Sequence, residues 1–213
     1  MKKLFVCMFT LTLACSTMLF AAEAPRVAHA TNVIVGHQRT EPDTSVTLCN
    51  TLGPKTNEYI LSGYYVAGPA SSLGTSQFIA SPCTPKATHT LTTVKAGWQW
   101  AGSGANEIQV CLYSDSGSNT PGTQIGNCVT KTNLPNFGTT NTLVTANFKS
   151  QNLSLTGGTQ YWIVAQTPGS GTGDDALDVW CGTVAPYTGS NVGSSGWYSF
   201  EADYTPSMRV SGQ

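Results

Sequence analysis

Charge is the scarcest commodity in this chain of 213 residues: Asp, Glu, Lys and Arg together make up 10% of it. No cluster of Lys and Arg occurs, so the basic footprint that a nucleic acid requires is missing. Helix signals are absent too, because no capping residue is followed by an apolar period of 3.6. No GxSxG elbow is present, which removes the usual setting of a hydrolase serine. There is no Cys-x-x-Cys pair and the three histidines are scattered, so a zinc site of familiar spacing is excluded. Short apolar runs set among Gly, Ser, Thr and Asn fill the chain instead. That composition suits strands joined by tight turns, with neutral polar groups facing water. The expectation is an all-β protein.

The N-terminus stands apart. Lys2 and Lys3 precede an uncharged, mostly apolar run from Leu4 to Ala22, and small residues follow. Residues 1–30 therefore read as a secretory signal peptide with a cut somewhere in 22–30. Ala22-Glu23-Ala24 would leave Pro25 first, and Ala28-His29-Ala30 would leave Thr31 first. A lipoprotein cut before Cys15 and an uncleaved anchor are the alternatives, the run being nearly long enough to span a bilayer. Beyond Ala30 lie 183 residues with seven Lys/Arg and ten Asp/Glu, a net charge of −3. That is one domain's length, enough to bury a core. The expected location is secreted or extracellular, with the periplasm or outer surface as variants. No membrane span is expected after signal removal, and no nucleic-acid partner.

Eleven candidate strands recur every ten to fifteen residues or so, the rhythm of sandwiches and barrels. They lie near 32–36, 59–66, 75–80, 90–100, 107–114, 124–130, 143–148, 160–167, 176–181, 196–200 and 207–211. Turn signals separate them, among them Gly68-Pro69, Pro121-Gly122, Gly157-Gly158 and Gly193 to Gly196. Eleven strands overfill one flat sheet, so a jelly-roll-like β-sandwich of two antiparallel sheets is expected. Residues 55–213 form that domain, and residues 31–54 are an N-terminal extension.

The hairpin IQVCLYSDSGSNTPGTQIGNCV carries one cysteine in each arm. A register that sets Val110 opposite Val129 sets Cys111 opposite Cys128, both on the side away from Ile108, Val110 and Leu112. Two thiols so placed bridge in an oxidising compartment. The same register puts Asn127 opposite Leu112, on the apolar side. Cys49, Cys83 and Cys181 remain, an odd set that allows three pairings and leaves one thiol over.

Residues 78–126 and 153–167, FIASPCTPKATHTLTTVKAGWQWAGSGANEIQVCLYSDSGSNTPGTQIG and LSLTGGTQYWIVAQT, resemble a bacterial exported jelly-roll family of the "choice-of-anchor" type. The likeness is carried by the TLTTV strand, the LYSDSGxxxPGT hairpin and the LTxGTQYWIV strand, with MRVSG similar to a closing strand. It implies an exported sandwich module whose ligands are mostly unassigned. Cys83 departs from the pattern by standing where an aromatic is common. No apolar helix with a basic tail follows Gln213, so a sorting anchor is not expected.

Several groups of residues could carry chemistry. Ser103, Ser170 and Ser195 sit in glycine-rich loops that read as turns. Glu58, Glu107, Glu201 and Asp203 would be the acids of a glycosidase pair, and otherwise are exposed strand-end residues. His29, if first in the mature chain, would chelate copper together with His37 or His89. Asp174, Asp175 and Asp178 in GSGTGDDALDVW supply the hard oxygens of a structural calcium site. Asp115 and Asn119 read as turn formers. Trp98 and Trp100 share a strand face with core residues. Trp197 and Tyr198, just after a flexible Gly-Ser loop, are the rings best placed to cover a sugar. The functional expectation is a secreted, non-enzymatic module that binds a polysaccharide or other cell-surface component. A polysaccharide-active enzyme and a structural matrix or adhesion protein are the alternatives.

Overall fold

Two antiparallel sheets face each other across one apolar core. The computed structural model describes residues 27–36, 45–53, 59–139, 142–169, 171–193 and 196–213. Among these, the strands in chain order are β1 (His29–Gly36), β2 (Val46–Asn50), β3 (Tyr59–Ala67), β4 (Ile79–Cys83), β5 (His89–Ala96), β6 (Trp98–Ser103) and β7 (Glu107–Asp115). They continue as β8 (Pro121–Thr132), β9 (Val144–Asn147), β10 (Ser154–Leu155), β11 (Tyr161–Gln166), β12 (Leu177–Gly193), β13 (Gly196–Pro206) and β14 (Met208–Gly212). The larger sheet runs β1-β3-β12-β4-β11-β7-β8, with β6 and β13 also paired to β12. The smaller runs β10-β5-β14-β2, with β9 on β5. The fold is the expected all-β, jelly-roll-like sandwich, built from fourteen described strands rather than eleven.

The extra strands have local causes. The run 90–100 breaks at Gly97 into β5 in the small sheet and β6 in the large one. A Cβ at Gly97 would fall 2.9 Å from the Tyr59 ring, so only glycine turns this corner. β2, within the expected extension, pairs with β14 and so belongs to the small sheet. β10 is two residues long and carries too little alternation to be recognised. β12 is long because it changes partners, from β3 and β6 over Leu177–Cys181 to β13 and β4 further on.

Side-chain alternation decides what fills the core. Leu91, Val94, Ala96, Ala146, Leu155, Met208 and Val210 come from the small sheet, and Tyr64, Val66, Ile108, Val110, Leu112, Ile163 and Trp180 from the large one. Trp98 is fully buried there and Trp100 packs against it partly buried, as their shared face with Val94 and Ala96 implies. The other face of the large sheet is not bare. Tyr59, Leu61, Val179 and Cys181 form one outer cluster, which Phe137 and Leu143 help cover. Ala80, Cys111, Trp162 and Val164 form another.

Two disulfides close the structure. Cys111–Cys128 links β7 to β8, and Val110 does stand opposite Val129. The expected Asn127–Leu112 pair does not form. The register shifts beyond Val110, so that Ile125 faces Leu112 and the core stays apolar. Gly126 takes the left-handed conformation there (φ 67°), and the Gln151 side chain bonds the backbone of Asn127 through both its oxygen and its nitrogen. Cys49–Cys83 joins β2 to β4 and so ties one sheet to the other. Cys181 is the leftover thiol, fully buried, and burial pushes its pKa upward. No helix among the described residues is long and apolar enough to cross a membrane.

Candidate functional site

The outer face of β7, β8 and β11 is built from the residues that alternation turns away from the core. β7 contributes Gln109, Cys111, Tyr113 and Asp115, and β11 contributes Trp162, Val164 and Gln166. Trp162 stands between Pro82 on β4 and Tyr113 on β7, with no exposure. Its indole N–H donates to Asp115 Oδ1 at 2.8 Å. Asp115 also accepts from the Gly117 amide at 2.8 Å and from Gln160 Nε2 at 3.0 Å. The Trp162 donor, aided by these others, holds the Asp115 carboxyl below its usual range despite partial desolvation. Asp115 is thus a turn former, as expected, and also fixes the buried indole. Asn119, left-handed at φ 56°, shares the turn.

Beside this anchor runs a ladder of neutral polar groups. The Gln166 amide donates to Gln109 Oε1 at 3.2 Å, and Gln109 Nε2 to Thr130 at 3.4 Å. The Tyr113 hydroxyl donates toward Gln166 at 3.4 Å and Gln124 at 3.5 Å. Partial burial raises the Tyr113 pKa, so the phenol stays protonated. These bonds are long and made by rotatable side chains at least partly open to water. Ligand hydroxyls can replace such partners one for one.

Trp197 joins this face. It packs against the Trp162 cluster, half-buried, with its ring edge-on to Tyr113 at 6.2 Å. Ser199 on the same strand donates to Asn119 O at 2.9 Å, pinning the start of β13 to the β7–β8 turn. Tyr198, also half-buried, is one residue on, and alternation turns it to the other side of β13. The two rings therefore do not make a single platform. The ring beside Trp197 is that of Tyr113.

The acidic segment is divided by the structure. Asp175 is exposed and accepts from the Ala105 amide at 3.0 Å. Asp174 accepts from the Ala176 amide at 3.1 Å and is half-buried. Asp178 shares the inner face of β12 with Trp180, lies beside Trp100 on β6, and is completely buried. Burial, reinforced by the charges of Glu107 and Asp174, pushes its pKa from 3.8 up to about 9. Among the described residues, no three His, Cys, Asp or Glu side chains are placed to hold one metal ion.

The remaining candidates do not assemble. Ser103 is exposed at the end of β6, while Ser170, Ser195, His37 and Glu58 lie outside the described residues, as do the side chains of Glu201 and Asp203. His29 sits on β1 with its ring 4.9 Å from that of Tyr64, and His89 opens β5 in the opposite sheet. A shallow groove of about 300 Å³ lies between β2 and β5, lined by Val46, Thr47, Leu48, Lys86, Ala87 and His89. Its lining brings together no reactive pair.

The polar ladder was missed because its members are distant in sequence, although Gln109-x-Cys111-x-Tyr113 alternation already set them on one face. Asp178 carried a similar signal, two residues from a core tryptophan. No protein-family model, curated protein or solved structure matches the chain.

Proposed function

We propose that this protein is an extracellular, non-enzymatic binding module that holds a neutral polysaccharide on the outer face of β7, β8 and β11. The observation that carries the reading is the ladder of Gln109, Tyr113, Gln124 and Gln166 beside the half-buried Trp197 ring. Amides and phenols match sugar hydroxyls, while a ring edge or face covers the apolar side of a pyranose. The two disulfides suit an oxidising compartment, as does the signal-like N-terminus. The motif resemblance to exported sandwich modules supports the same compartment.

The enzyme reading has less support. Asp178 has the raised pKa of a general acid, yet with no exposure it cannot reach a glycosidic oxygen. An assembly role would need an open sheet edge, and the β8 edge is bulged at Gly126 with Gln151 occupying the backbone of Asn127. The test is retention on a glycan array. Trp197→Ala and Gln166→Ala should each weaken binding, the ring by on the order of 1–2 kcal/mol, or roughly five- to thirtyfold. Unchanged retention of both variants on every glycan that the wild type binds refutes the proposal, and so does a wild type that binds none.

A further inference from the structure

One end of the sandwich gathers oxygen atoms that no other described residue bonds. Both carboxyl oxygens of Asp178 are buried without a hydrogen-bond partner among the described residues. So are Asp174 Oδ2, Ser71 Oγ and Thr167 Oγ1. Nine buried side-chain atoms lack a partner there, and these four residues own five of them, so the shortfall is concentrated.

Their segments interlock. The Ala70 amide donates to Asp174 O at 2.8 Å, and the Gly68 amide to Ala176 O at 2.9 Å. A Cβ on Gly68 or Gly169 would lie 2.6 or 2.7 Å from the Asp174 carboxyl carbon, so glycine on both sides lets the loops close around that group. Ser71 follows Gly68 in one of these loops and donates its amide to Gly68 O, while Thr167 precedes Gly169 in the other. Glu107, at the start of β7, and Asp174 add like charge to Asp178, and among the described residues no cationic side chain offsets them there.

A buried carboxylate with no counter-charge is among the costliest arrangements a fold can hold. Either a proton or a cation must relieve it. We propose that this end of the sandwich is a binding site for a hard divalent cation of calcium's kind, held by the Asp178 and Asp174 carboxylates with neutral oxygens of the Ser71 and Thr167 loops. All five of the unpartnered atoms of Asp178, Asp174, Ser71 and Thr167 are oxygen, the donor type that favours calcium over zinc or copper. Since no third carboxylate converges, hydroxyl and carbonyl oxygens complete the shell. With only two formal charges the affinity falls in the range of extracellular modules, a dissociation constant on the order of 10⁻⁴–10⁻³ M. Asp175, committed to Ala105, lies outside the set. This site is independent of the glycan face.

The experiment is a melting curve of the full chain, disulfides formed, in excess calcium and in chelator. Occupancy of the folded state alone should raise the melting temperature by several degrees. Asp178→Asn and Asp174→Asn should each abolish the rise, while Asp175→Asn keeps it. Terbium supplies a second readout that needs no stability change, because Trp100 and Trp180 flank Asp178 and would sensitise its emission. Calcium should quench that emission by competition in wild type and Asp175→Asn, and Asp174→Asn should show none; this arm stands even if Asp178→Asn fails to fold. Equal melting curves in calcium and chelator, or a calcium response and terbium emission that survive in Asp174→Asn, overturn the proposal.

Discussion

Raising the pH of the metal-free protein should weaken it over a range in which most proteins are indifferent. Asp178 is the cause. Its carboxyl is buried and its pKa stands at about 9, against 3.8 for the same group in the unfolded chain. Between those values the folded state holds a proton that the unfolded state has released. Stability therefore falls as pH rises, by up to about 1.4 kcal/mol per pH unit. The stabilising contribution is complete below the unfolded pKa and is lost by the folded pKa. From about pH 5 to about pH 8 the loss amounts to at most about 4 kcal/mol, a large share of a domain's net stability. Urea unfolding in chelator at several pH values reads it directly. Asp178→Asn keeps the shape, never ionises, and should flatten the profile. Excess calcium should flatten it too, because the cation would compensate the charge that the proton otherwise removes. A wild-type profile that is level from pH 5 to 8, or an Asp178→Asn profile as steep as the wild type's, refutes the reasoning.

Further outcomes follow from the packing. Replacing both cysteines of the Cys49–Cys83 bridge with alanine should cost about 4 kcal/mol, and replacing Cys111 and Cys128 nearer about 3, since the closed loops span 34 and 17 residues; equal or negligible losses in urea unfolding would contradict this. Gly63→Ala puts a Cβ 2.0 Å from Trp180 O between two paired strands and should destabilise by about 3 kcal/mol or prevent folding, which a soluble variant with an unchanged melting curve would disprove. Trp162→Phe removes the strongest donor to Asp115, so the Asp115 pKa should rise toward the ordinary carboxylate value, as an NMR titration would show. Cys181 should resist alkylation in the native protein and react only on unfolding, as peptide mapping before and after denaturant would reveal.

Strand positions were legible because alternation is a local property, and the chain shows it plainly at Ile108-x-Val110-x-Leu112. The Cys111–Cys128 bridge was legible for the same reason, its two arms lying in one hairpin. The bulge at Gly126 was harder to see: a single left-handed glycine re-phases β8 and spares Leu112 a polar neighbour. The candidate face was half legible. Trp197 was singled out from its loop, but its ring partner Tyr113, and Gln166 that bonds Tyr113, come from strands far away in sequence.

Composition and alternation by themselves determined that this protein is all-β, poor in charge, and folded around two layers, because each strand's face pattern is written within a few residues. Tertiary structure alone decided that Cys49 meets Cys83 and leaves Cys181 over. It alone decided that β5 and β6 part company at Gly97, and that Asp178 ends in the interior with Asp174 and Glu107 for company. Each of these depends on which strands become neighbours. That choice is made by closing the whole core at once, and no short window of sequence contains it.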